Sequence, residues 1–201
     1  MRSIFMLMLL CPLAHAEVVS SDPVGWEFAP LYGYRSSVGF DAVDEEVTAD
    51  VDIDAAPTYG ALLEFPSGRN TQWQIFVSRQ STELDGGSLV ANIDLDVDYV
   101  HFAGTYVMEG DRVRPYVGFG FGATRLDPEA PYDGETEFSI AFLTGLKFRL
   151  AEHLGLRLDL RALGTLTDAD AAVFCSGGCV ARYESDAFWQ YEATVGLNLY
   201  F

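Results

Sequence analysis

Basic residues are scarce in this chain of 201 residues. Twelve Lys and Arg stand against thirty Asp and Glu, for a formal net charge of −18. Nucleic-acid binding needs a cationic groove or face, so no nucleic-acid partner is expected. Cysteine is scarcer still, at three. Only one apolar run approaches helix-spanning length, and no segment after it has a convincing helical period. Hydrophobic residues nevertheless make up 49 % of the chain, too many for a disordered acidic polypeptide. Any membrane crossing must therefore be made by strands.

The one long apolar run is N-terminal. Arg2 gives a positive start, and IFMLMLLCPLA is too short to cross a bilayer as a helix. Ala14-His15-Ala16 has the small-x-small form of a cleavage site, which predicts a signal peptide over residues 1–16 and one mature domain over 17–201. Leu10 precedes Cys11 where a lipid-modified cysteine requires a small residue. Removal of the leader leaves Cys175 and Cys179 in FCSGGCV.

What is present is alternation. In QYEATVGLNLYF, Tyr191, Ala193, Val195, Leu197, Leu199 and Phe201 share one face, with Glu192, Thr194, Gly196 and Asn198 on the other. LGLRLDLRA places four leucines opposite Gly155, Arg157, Asp159 and Arg161. VRPYVGFGFGAT places Val117, Phe119 and Phe121 opposite Arg114, Tyr116 and three glycines. Eight such segments are predicted, near 26–40, 55–66, 71–82, 93–108, 112–126, 137–151, 154–166 and 187–201. The fourth blurs through VHFAGTY, which predicts a bulge. Connections alternate long and short, so the long ones fall at one end of an antiparallel up-and-down sheet and both termini at the other. The long connections are acidic: seven acids and no base lie between Asp41 and Asp54, and five and none between Asp127 and Glu137.

Eight up-and-down strands form a barrel either with the apolar face inward around a ligand or with it outward against lipid. Three features favour the second. The polar face carries charges of both signs beside Gly118, Gly120 and Gly122, which suits a narrow interior where small residues make room for long paired side chains. The apolar face concentrates Trp26, Phe28, Tyr32, Tyr34, Trp189, Tyr191 and Phe201 near strand ends, as in an interfacial girdle. Ten residues tilted by about 40° span the roughly 25 Å of an apolar band. The fold class read from these patterns is all-β, an eight-stranded antiparallel transmembrane barrel.

VGLNLYF at the C-terminus, RPYVGFGFGATRL and a signal peptide with eight amphipathic strands together resemble the bacterial outer-membrane β-barrels, in particular the small OmpA/OmpX/OmpW-like and opacity-type proteins. The resemblance covers the mature chain. It implies an outer-membrane location, with termini in the periplasm and long loops outside. It also implies that the barrel-assembly machinery reads the last strand through Phe201, with Leu199, Leu197 and Tyr191 on the same face. Phe201 is also placed to anchor in lipid at the periplasmic interface, and the two roles are compatible.

The inward phase collects Glu27, Arg35, Glu64, Arg114, Lys147, Arg149, Arg157, Asp159, Arg161 and Glu192. Charges in so narrow a space are costly unless paired, so a salt-bridge network is expected, as a plug more than as a water path. Cys175 and Cys179 read as a local disulfide outside the cytosol. No metal or cofactor site is expected. His153 and His101 have no neighbouring serine in sequence, so no catalytic motif is present and no enzymatic activity is expected. Asp94, Asp96 and Asp98 form an acidic row, solvated or paired with Arg. Asp44, Glu45, Glu46, Asp50, Asp52 and Asp54 would face lipopolysaccharide phosphates, with divalent cations as bridges or water as solvent. The leading expectation is a non-enzymatic surface or structural protein in contact with outer-membrane lipid and lipopolysaccharide. A small ion or apolar-solute channel is the alternative, and a lipid-modifying enzyme a further one.

Overall fold

The computed structural model describes residues 25–37, 40–44, 47–53, 55–85, 93–129, 134–166, 172–173, 181–183 and 188–201. Twelve strands occur among them: β1 Glu27–Ser37, β2 Phe40–Asp44, β3 Val47–Ile53, β4 Ala56–Pro66, β5 Thr71–Asp85 and β6 Ile93–Val107, followed by β7 Val113–Pro128, β8 Glu135–Arg149, β9 Leu154–Leu166, β10 Ala172–Val173, β11 Ala181–Tyr183 and β12 Phe188–Tyr200. No described residue is helical. The leader and both loop cysteines lie outside the described residues.

Eight strands close a ring in the order β1–β4–β5–β6–β7–β8–β9–β12, with β12 pairing back onto β1, and every pairing is antiparallel. Closure leaves the ring no free edge, which lipid would not satisfy. These strands coincide with the eight segments read from alternation. Paired partners lead from Glu27 through Glu64, Gln74, Ala103, Gly120, Ala141, Leu163 and Gln190, and then to Ser37 rather than Glu27. This stagger of ten residues over eight strands tilts them by about 40°. Such a barrel has room inside for side chains and little more.

The apolar phase points outward. Phe28, Tyr32, Ile75, Phe102, Phe119, Phe142, Leu158, Val195 and Leu197 are exposed on the outer wall. Glu27, Glu64, Gln74, Lys147, Arg157, Asp159 and Arg161 are buried in the lumen. The expected bulge in β6 is absent. Its register runs unbroken from Thr71↔Tyr106 to Leu84↔Ile93 on one side and from Leu95↔Pro128 to Val107↔Tyr116 on the other. The outward side of this strand changes from Asp94, Asp96 and Asp98 to Val100, Phe102 and Tyr106, and the pattern blurs further because Val97, Tyr99 and Ala103 face inward. They belong to two apolar inner clusters that also hold Leu62, Phe76, Leu163 and Leu143.

The short connections 67–70, 108–112 and 150–153 lie at the same end as Trp26 and Phe201, whose backbones bond at 2.9 Å. The long connections lie at the opposite end and contain strands that composition hides. β2 and β3 form a hairpin, β11 pairs with β2, β10 pairs with β11, and β3 reaches β5 through Ile53↔Leu84. Val47, Ala49, Val51 and Ile53 do alternate with Thr48, Asp50 and Asp52, but their acidity suggests a loop.

Candidate functional site

The lumen is the only place where the fold gathers buried charge among the described residues. Four acids and four bases are buried there: Glu27, Glu64, Asp159 and Glu192 with Arg35, Lys147, Arg157 and Arg161. They form one unbroken chain of alternating sign. Lys147 Nζ lies 3.0 Å from Glu27 and 2.6 Å from Glu64. Arg157 bonds Glu64 through Nη1 at 2.9 Å and Asp159 through Nε at 2.9 Å. Arg161 continues from Asp159 at 3.3 Å to Glu192 at 3.5 Å. Arg35 ends the chain on Glu192, with Nη2 at 2.6 Å and Nε at 3.0 Å. Each residue comes from a strand whose inward phase fixes it, so the chain climbs the lumen from the short-turn end toward the long loops. The net charge of this buried set is zero, which makes its burial tolerable.

Neutral polar groups take the remaining lone pairs. Gln72 and Asn198 donate to Glu27 at 2.6 Å each, and Gln74 donates to Glu64 at 2.8 Å. Tyr116 donates to Asp159 and accepts from Arg157 Nη2 at 2.9 Å. Arg35 also reaches Ser78. Aromatic faces cover the cations: Phe76 lies 4.0 Å below Arg161, and Tyr99 4.7 Å from Arg35. Above Arg35, Tyr99 donates to Gln190 at 2.9 Å and meets Thr165 at 3.1 Å. Charge alone does not reveal Gln72, Gln74, Tyr116 or Asn198, though all share the inward phase.

The glycines that make room for the chain are not the three expected. A Cβ on Gly196 would meet Arg157 Cγ at 2.9 Å, and one on Gly145 would meet Tyr116 Cε1 at 2.7 Å. Gly118, Gly120 and Gly122 instead admit Leu143, Ala103 and His101.

Arg114 and Arg149 take the inward phase but stand outside the chain of ion pairs. Both lie at the short-turn mouth, where no described carboxylate comes within ion-pair distance. Arg149 stacks on Tyr200 at 4.9 Å and donates from Nη2 to the Glu152 carbonyl at 2.9 Å.

His101 has a partner that sequence proximity hides. Its Nε2 lies 2.7 Å from Ser139 Oγ across the lumen, 38 positions away. Both are buried, and His101 Nδ1 has no hydrogen-bond partner among the described residues. On the outer wall, Arg79 holds Asp98 at 2.6 Å and Ser81 holds Asp96 at 2.6 Å, just beyond exposed Val77 and Val100. No group of three or more metal-binding side chains occurs among the described residues. The side chains of 40–54 lie outside the described set. Tyr191, Leu197, Leu199 and Phe201 all stand on the outward face of the last strand, with Phe201 76 % exposed.

Residues 3–201 match the outer membrane protein beta-barrel domain. The chain belongs to that family. No curated protein matches the sequence of this outer-membrane barrel. Among solved structures it is similar to the Neisserial surface protein A, with a TM-score of 0.57 at 12 % identity over 88 % of this chain and 96 % of that one. It is similar to the outer membrane protein AlkL in lipid bilayers, with a TM-score of 0.56 at 17 % identity over 97 % of both chains. It is also similar to the attachment invasion locus protein of Yersinia pestis in complex with a heparin analogue, with a TM-score of 0.51 at 11 % identity over 88 % of this chain and 99 % of the other. At these identities the likeness is one of fold.

Proposed function

We propose that this outer-membrane barrel is a closed, non-enzymatic anchor that acts through its long-loop end. The observation that carries this reading is the chain from Glu27 to Arg35. It joins five successive strands of the ring, β4, β1, β12, β9 and β8, buries every member and leaves no member without an opposite charge. An axial path for ions would have to break several of these bonds. The His101–Ser139 pair is buried inside the lumen, away from lipid, which argues against lipid chemistry.

The termini and short turns lie on the periplasmic side in this reading, and the acidic loops outside. Those loops suit a cationic surface, or lipopolysaccharide phosphates bridged by divalent cations. Outward Phe201, Leu199, Leu197 and Tyr191 are placed where assembly machinery or lipid would meet them. A disulfide between Cys175 and Cys179, which lie outside the described residues, is part of this reading. Single-channel recording in planar bilayers tests the anchor. Absence of steady openings is expected, and steady openings of defined conductance would overturn it.

A further inference from the structure

The bases whose side chains are described divide by position. Arg35, Arg79, Arg125, Lys147, Arg157 and Arg161 each have a carboxylate partner. Arg69, Arg112, Arg114 and Arg149 form no ion pair, and all four lie in or beside the short connections. Three of them are neighbours. The backbone N of Arg149 bonds the carbonyl of Arg112 at 3.0 Å, which sets these two directly opposite each other. One step inward, Arg114 lies opposite Lys147. Like charges at directly opposed positions destabilise a sheet. Lys147 is neutralised by Glu27 and Glu64, so the charge left without an ion-pair partner is that of the three arginines.

The mouth is also shaped to hold one of them still. Tyr200 lies beneath the Arg149 guanidinium, and Gly155 leaves the space, since a Cβ there would meet Tyr200 Oη at 2.6 Å. Arg149 Nε is buried without a hydrogen-bond partner. Arg114 is half-buried and Arg112 exposed at the same mouth. The nearby acids Glu109, Asp111 and Glu152 are exposed in the turns and pair with none of them. Trp26 and Tyr106 mark this level of the outer wall as a membrane interface. Guanidinium forks match phosphate oxygens in geometry and charge.

We propose that the short-turn mouth is a phosphate-binding site built from Arg112, Arg114 and Arg149, filled by a phospholipid headgroup or by free phosphate. The anion relieves the like-charge repulsion and takes up the unused donors. The site stands whichever way the barrel crosses the membrane.

Two measurements on the refolded full chain test it. In zwitterionic detergent, inorganic phosphate is titrated calorimetrically against chloride at equal ionic strength. Saturable heat is expected, weakened about tenfold by Arg112→Gln or Arg114→Gln, as befits a lost charge-assisted bond, and unchanged by Arg79→Gln at the other end. In phosphatidylcholine vesicles, tryptophan quenching by brominated phosphatidylglycerol is compared with quenching by brominated phosphatidylcholine. A preference for the anionic lipid that the double Arg112→Gln/Arg114→Gln variant abolishes identifies the headgroup as the source. Saturable phosphate heat without that preference identifies free phosphate. Absence of both overturns the site. So does equal weakening by Arg79→Gln, or heat that appears only with an acidic peptide.

Discussion

Arg157 and Glu64 meet at 2.9 Å across the lumen, with neither side chain exposed to solvent. Their strands are three apart in the ring, so this bond ties opposite walls rather than neighbours. Glu64 also holds Lys147, so like Asp159 and Glu192 it serves two cations. Glu64→Gln is expected to cost about 3–5 kcal/mol, because it leaves buried cations short of charge. Urea unfolding followed by the gel mobility of unboiled samples measures this. Adding Lys147→Met should recover part of the loss, and a double-mutant cycle gives the coupling.

Gly196 provides the space through which the Arg157 stem passes. A Cβ there would lie 2.5 Å from Leu31 Cδ2 and 2.9 Å from Arg157 Cγ. Gly196→Ala is therefore expected to lower stability by about 1–3 kcal/mol through overpacking. Ala193 lies on the outward face of the same strand, and Ala193→Gly serves as the exposed control, with a smaller effect. The two unfolding midpoints are compared directly.

Phe119 stands in the outward apolar band, whereas Ser81 lies beyond its edge beside Asp96. Phe119→Arg is expected to cost about 2–4 kcal/mol and Ser81→Arg about 0–1 kcal/mol when folding is measured into lipid vesicles. Equal costs would contradict an outward lipid face.

His101 and Ser139 are a packing pair by their burial. Removing both together, as His101→Phe with Ser139→Ala, is expected to change stability by less than about 1.5 kcal/mol, because no polar group is left behind. Ser139→Ala alone strips the one partner of the imidazole and should cost more. Lipid A from cells carrying either variant is expected to match the parent by mass spectrometry.

Alternation, turn length and the signs of the inward charges are local properties. A strand's period of two writes them directly into LGLRLDLRA or VGLNLYF, and eight strands, their order and the lumen phase of Glu64 or Arg157 follow without coordinates. Partner choice is different. Arg35 and Glu192 are 157 positions apart, and only a stagger of ten residues around the ring brings them to one height. Tilt and stagger depend on how all eight strands close together, which no single segment encodes. For the same reason the sequence shows Arg114 and Arg149 as two more inward bases. Only the closed barrel decides that the chain of carboxylates ends before it reaches them, leaving them at an open mouth. It decides as well that His101 finds Ser139, and that the acidic stretches 40–44 and 47–53 pair as strands at the far end.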